Sequence, residues 1–219
     1  MDKTNPSIIK DSGSGRLYYC SGEDTISCEE QTNIGYYVVD KDTVFTCKDN
    51  GTGLDCTREK VTLQACDNIN SIGRLFMATA DSPISICLNY NPDALTNEEK
   101  PTTVALNGSN SGNYLVYKNM DPKSNIFGLT ENNEQFAIVG ITDKMVRLNE
   151  TYTNGHKYVY ADSTNNKVME KGGKDYPKAG TTSDPDEAKI LELLCNGGKC
   201  KDSSSVTVIS GASDGKWIY

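Results

Sequence analysis

The stretch GYYVVD, Gly35–Asp40, is a glycine followed by a run of aromatic and β-branched residues, and it has five companions. They read GRLYYC (Gly15–Cys20), GRLFMA (Gly73–Ala78), GNYLVY (Gly112–Tyr117), GHKYVY (Gly155–Tyr160) and GKWIY (Gly215–Tyr219). The glycines stand 20, 38, 39, 43 and 60 residues apart, close to one, two, two, two and three steps of a common period. A fixed period of this size is the mark of a repeat architecture. Repeat arrays present extended surfaces more readily than deep catalytic pockets.

Working outward, each glycine sits in the same local grammar. A short strand precedes it: Val61-Thr-Leu63, Val104-Ala-Leu106, Val146-Arg-Leu148 and Val206-Thr-Val208. After the Gly-aromatic strand comes a polar turn, as at Asp40–Thr43 and Thr79–Pro83, then a closing strand such as Val44–Cys47 or Ile84–Cys87. Short runs of this kind bounded by Gly, Asn, Asp and Ser read as β-strands. Two units align closely: Cys28 and Cys66 each lie seven positions before a glycine and are each followed by a further cysteine, Cys47 or Cys87. The expected fold is all-β: a β-solenoid with rungs of about 20 residues, or an array of three-stranded units of about 40.

The bulk numbers bound the partners. The chain has 219 residues, 36% hydrophobic, with a net charge of −8, a mean hydropathy of −0.54 and a pI near 4.7. An acidic surface disfavours nucleic acid and anionic membranes, which attract clustered Lys and Arg. No apolar run is long enough to span a bilayer, so no membrane insertion is expected. Met1 is followed by polar sequence rather than a secretion leader.

The eight cysteines nevertheless point to an oxidising compartment: Cys20, Cys28, Cys47, Cys56, Cys66, Cys87, Cys195 and Cys200. Eight cysteines allow 105 pairings. The most economical set is local: Cys20–Cys28, Cys47–Cys56, Cys66–Cys87 and Cys195–Cys200. Sequons at Asn50, Asn107 and Asn149 are candidate glycosylation sites in polar turns. Together these features read as a piece of a larger secreted protein.

Composition shifts along the chain. Residues 1–14 read as a flexible segment, 15–98 as Cys-rich β repeats and 99–219 as continuing repeats, with one continuous domain over 15–219 as the alternative. One helix is expected at about 184–195. Ser183 or Asp184 supplies a cap, Pro185 suits the first turn, Ile190, Leu191, Leu193 and Leu194 supply an apolar face, and Gly197-Gly198 ends it. Its expected role is to cap the array.

Little catalytic chemistry is legible. His156 is the sole histidine and occupies a slot that takes Arg, Tyr, Asn or Lys in other copies, so it reads as a strand residue. The cysteines lack the paired short spacing of common zinc modules. Asp40/Asp42 and Asp184/Asp186 mark no cleft for a glycosidase. Asp40-Lys-Asp42 and Asp49-Asn-Gly51 complete no calcium loop. No phosphate-cradling glycine motif is present. No enzyme activity, metal or cofactor is expected. The recurrent aromatics remain. Alternation sends neighbours to opposite faces, so about half of them should form a surface suited to protein contact or to stacking on sugar rings. Tyr36, Tyr37, Tyr114, Tyr158, Tyr160 and Trp217 are the candidates.

The phrases LYYCSGEDTISC, NIGYYVVDKDTVFTC and LLCNGGKC…SDGKWIY resemble the Cys-containing repeats of anaerobic gut-fungal scaffoldins. The likeness is strongest over residues 15–90 and 190–219, and the Cys-free middle departs from it. The resemblance implies a non-catalytic, cohesin-like extracellular module that binds dockerin domains of secreted enzymes in a plant-cell-wall-degrading complex. The rival expectation is a carbohydrate-binding or adhesin module that uses the same tyrosines against polysaccharide.

Overall fold

In a computed structural model, residues 6–22, 24–90, 101–121, 125–129, 134–152, 155–162, 166–170 and 188–202 are described. The chain folds predominantly into β-strands. A first sheet holds β1 (Ser7–Lys10), β2 (Leu17–Ser21) and β3 (Ser27–Gln31), so the N-terminal segment expected to be flexible contributes a strand. The next strands are β4 (Gly35–Val38), β5 (Thr43–Asp49) and β6 (Leu54–Lys60). A second small sheet holds β7 (Leu75–Phe76), β8 (Ser85–Asn89) and β9 (Thr102–Ala105). The remaining strands are β10 (Gly112–Tyr117), β11 (Phe136–Ile141), β12 (Met145–Leu148), β13 (Gly155–Asp162), β14 (Val168–Glu170), β15 (Ala188–Asn196) and β16 (Lys199–Asp202).

Ten of these form one large sheet in the order β14-β13-β15-β16-β11-β12-β4-β5-β6, with β10 on the other edge of β11. Among the described residues every ladder between strands is antiparallel. Solenoid rungs stack strand on like strand in parallel, and among the described residues the one parallel contact is an isolated bridge between Leu63 and Met77. Among the described residues the repeat is therefore built as hairpins, with no solenoid closure.

Local chemistry explains the hairpins. The Asp40 carboxylate accepts from the Asp42 amide at 3.1 Å, closing the β4–β5 turn. The Thr142 hydroxyl accepts from the Lys144 and Met145 amides and closes the β11–β12 turn. Gly35 is required by close approach, because a Cβ there would lie 2.1 Å from the Val146 carbonyl oxygen on β12.

The expected helix at 184–195 is corrected for its described part. Ala188–Asn196 is a strand, paired along its whole length with β13 and at its end with β16; residues 184–187 lie outside the described residues. Gly197 and Gly198 both have positive φ, 60° and 81°, and form a two-residue hairpin turn rather than a helix stop. A short apolar run fits strand or helix equally, and here two waiting strand edges decide it.

Three disulfides staple hairpins directly across: Cys20–Cys28, Cys47–Cys56 and Cys195–Cys200, with Cα separations of 4.0, 4.1 and 4.1 Å. Cys66–Cys87 ties the Leu63–Met77 region to β8. All eight cysteines are paired, which fits an oxidising compartment.

The central strands of the large sheet are covered on both faces. One face carries Tyr36, Val44, Val116, Val139 and Val146, which pack against Ile72, Ile86, Leu88 and Val104 of the second small sheet and its flanks, and against Phe127 and Leu129. This core draws on residues either side of position 98. The opposite face carries Tyr37, Phe45 and Met145, which meet Ile8 and Leu17 of the first sheet. Toward the far end of that face, Leu115, Phe136, Ile138, Tyr152 and Leu193 form a third cluster.

Candidate functional site

Three of the six aromatics expected at a partner surface lie in these cores. Tyr36, Tyr37 and Tyr114 are 6%, 0% and 4% exposed. Their hydroxyls donate to backbone carbonyls: Tyr36 to Gly73 at 2.9 Å, Tyr37 to Asn33 at 2.7 Å and Tyr114 to Asn110 at 2.8 Å. The Tyr36 ring also meets Phe127 edge-on, with centroids 6.3 Å apart. Alternation does send Tyr36 and Tyr37 to opposite faces, but both faces are covered, so both rings are buried. The placement of these three tyrosines at a surface is thus corrected. Burial raises all three phenol pKa values; at Tyr36 the Glu59 carboxylate adds to this and Arg74 opposes it. Tyr158 and Tyr160 lie on β13, where the backbone register sets them opposite Glu192 and Ile190. Their side chains, the side chain of His156 and the whole of Trp217 lie outside the described residues.

The face that carries Tyr36 is uncovered toward the β6 edge, and there it becomes polar. Register places Val44 opposite Glu59, Thr46 opposite Thr57 and Lys48 opposite Asp55. These six side chains share one face and floor a groove of about 470 Å³. Val61, Thr62, Gln64, Arg74, Leu75 and Ile126 wall it, and Tyr36 lies at its inner end. The Thr46 hydroxyl donates to the Glu59 carboxylate. At the rim Lys60 pairs with Asp42 at 3.1 Å and Arg74 with Asp121 at 3.7 Å. The groove thus mixes both signs of charge with hydroxyls over a rigid, disulfide-stapled hairpin. Sequence reading passed over it, although the signal was present: polar residues at alternate positions Thr46, Lys48, Asp55, Thr57 and Glu59.

A second hollow of about 450 Å³ forms where three turns meet, bringing Asp40 and Lys41 beside Asp81 and beside Asp143 and Lys144. Asp42, next to it, is held below the usual carboxylate range, first by the Thr43 hydroxyl and then by Lys60. Among the described residues no cluster of three or more His, Cys, Asp or Glu side chains is placed to hold a metal ion. Nor is any described helix long and apolar enough to cross a membrane.

The three sequons differ. Asn50 is exposed at the β5–β6 tip, and its Oδ1 accepts from the Thr52 amide at 3.0 Å and the Thr52 hydroxyl at 2.9 Å. Asn107 is half-buried and caps a short 3-10 turn, with Oδ1 accepting from the Asn110 amide at 3.0 Å and the Ser109 hydroxyl at 2.7 Å. Asn149 is half-buried; its Oδ1 accepts from Thr151 and its Nδ2 donates to Asn113 Oδ1 at 2.9 Å. Asn107 and Asn149 occupy equivalent places in the repeat, each directly after a Val-x-Leu strand.

No protein-family model matches the chain, and no curated protein or solved structure is similar to it.

Proposed function

We propose that this chain is a non-catalytic docking module of a secreted multi-protein assembly, binding dockerin-bearing enzymes that act on plant cell walls. The groove over the β5–β6 face carries the reading. It sets Lys48, Lys60 and Arg74 beside Asp55 and Glu59 on a rigid floor, and charge patterns of this kind fix register and steer encounter between proteins. The partner class comes from the resemblance to gut-fungal scaffoldin repeats. Four disulfides support an extracellular setting. Tyr36, Tyr37 and Tyr114 are buried and offer no ring to either a protein partner or a sugar, so the alternative, a carbohydrate-binding or adhesin module, would rest on Tyr158, Tyr160 and Trp217.

Calorimetric titration of the disulfide-intact chain against a gut-fungal dockerin tests this, with cello- and xylo-oligosaccharides titrated in parallel. Saturable dockerin binding is expected, weakened roughly tenfold or more by Glu59→Lys or Arg74→Glu and weakened further as salt rises. Saturable binding of the oligosaccharides without dockerin binding overturns the reading in favour of a carbohydrate module.

A further inference from the structure

We infer that Asn50 is an N-glycan acceptor, whereas Asn107 and Asn149 are turn caps whose sequons arise from the repeat itself. Exposure separates Asn50 from both of the others, and an Nδ2 without a protein partner separates it from Asn149. Asn50 is exposed, and its Nδ2 has no protein partner among the described residues. The space around it is open: a Cβ built on Gly51 or Gly53 meets no atom within 4 Å. The Thr52 hydroxyl is folded onto the Asn50 side chain at 2.9 Å, as the corresponding hydroxyls are at the other two sequons, so the two reactive parts of the sequon are together.

The other two side chains are half-buried at turns between the repeat strands. Asn107 holds the amide that starts the turn before β10. Asn149 spends its Nδ2 on Asn113, tying the end of β12 to β10. Their Asn-x-Ser/Thr spelling follows from capping, since Asn is a favoured cap and a hydroxyl two residues later closes the same turn.

The modification joins Nδ2 to C1 of an oligosaccharide carried on a lipid pyrophosphate. The N–C1 bond forms, the C1–O bond to phosphate breaks, the lipid pyrophosphate leaves with the bonding pair, and Nδ2 gives up one proton. The inference rests on the secretory part of the proposed function, because that donor belongs to the secretory route. A glycan here stands at the tip of the hairpin whose last inward pair, Lys48 and Asp55, floors the open end of the groove.

The test supplies the compartment. The chain is produced in a glycosylating eukaryotic host behind a cleavable secretion leader, and secreted and retained material are both analysed. Enzymatic removal of N-glycans, which leaves Asp in place of a modified Asn, is followed by mass analysis of the peptide spanning residues 49–58. Conversion at position 50 is expected. Asn50→Gln and Thr52→Ala should each abolish the mass shift, with thiol titration still showing no free cysteine. Unmodified Asn50 in that material overturns the assignment and leaves the docking reading standing, since the leader has provided the route. A glycan at Asn107 or Asn149 that survives Asn50→Gln also overturns it.

Discussion

Tyr36 donates its hydroxyl to the carbonyl oxygen of Gly73, 37 residues later in the chain, at 2.9 Å. Both residues belong to copies of the repeated phrase, so one copy's tyrosine satisfies the next copy's glycine. Gly73 is itself buried, and its carbonyl has little recourse to water. Tyr36→Phe keeps the ring and its contact with Phe127 but strands that acceptor. We expect a loss of about 1–3 kcal/mol in chemical denaturation, and dockerin affinity measured well below the transition should stay within about twofold. A large loss of affinity in a folded Tyr36→Phe protein would return Tyr36 to the binding surface.

The buried phenols also set an upper pH limit. The unfolded chain ionises its tyrosines near pH 10, whereas burial raises Tyr36 and Tyr37 well above that. Their contribution is therefore fully present below about pH 10 and is lost as pH climbs toward the folded values. The slope of stability approaches about 1.4 kcal/mol per pH unit for each such group. Absorbance at 295 nm should show exposed phenols titrating first, with Tyr36, Tyr37 and Tyr114 ionising only together with the loss of near-ultraviolet dichroism. All 12 tyrosines titrating as one population in the folded protein would contradict this.

Particular residues show how much of this was legible. The Gly-aromatic strands and their polar turns could be read because glycine tolerance, alternation and side-chain-to-amide bonds are local effects, and Asp40 closing its own turn is typical. Cysteines a few residues apart across a hairpin find each other for the same reason. The run Ile190–Leu194 reads as a helix face, because its strand state depends on pairing with β13 and β16, which its own residues do not reveal. Nor could the fate of Tyr36 and Tyr37 be read. Period two tells which face a residue takes, but only the tertiary layers decide whether that face meets water. The groove follows the same rule in reverse: the polar floor is visible in the sequence, but its walls at Arg74 and Ile126 are contributed by remote segments.

Cross-link length predicts which disulfide matters most. Cys66–Cys87 closes the longest loop, with a separation of 21 residues, whereas Cys195–Cys200 closes the shortest, with 5. In the chain-entropy picture these are worth about 3 and about 2 kcal/mol respectively. Cys66 and Cys87 are also buried in the main core. The double replacement Cys66→Ala/Cys87→Ala should therefore lower the denaturation midpoint more than Cys195→Ala/Cys200→Ala. The reverse order would show that the β15–β16 hairpin depends on its staple beyond loop closure.

Asn119 links the core to the groove. It is 4% exposed, and its Nδ2 donates to the carbonyls of Asn70 at 2.9 Å and Ile72 at 2.7 Å, while its Oδ1 accepts from the Asp121 amide at 2.7 Å. It thereby pins the segment after β10 onto the turn before Gly73, and places Asp121 where it meets Arg74 on the groove wall. Asn119→Leu keeps comparable bulk and removes all three bonds. Asn70 is exposed and can turn to water, so the cost falls mainly on the buried Ile72 carbonyl, about 1–3 kcal/mol. Dockerin affinity should drop with it, since Arg74 loses the partner that orients it, and Arg74→Glu should add little further loss in the Asn119→Leu background. Fully additive losses in that double-mutant cycle would show that Asn119 stabilises the fold without positioning the groove wall.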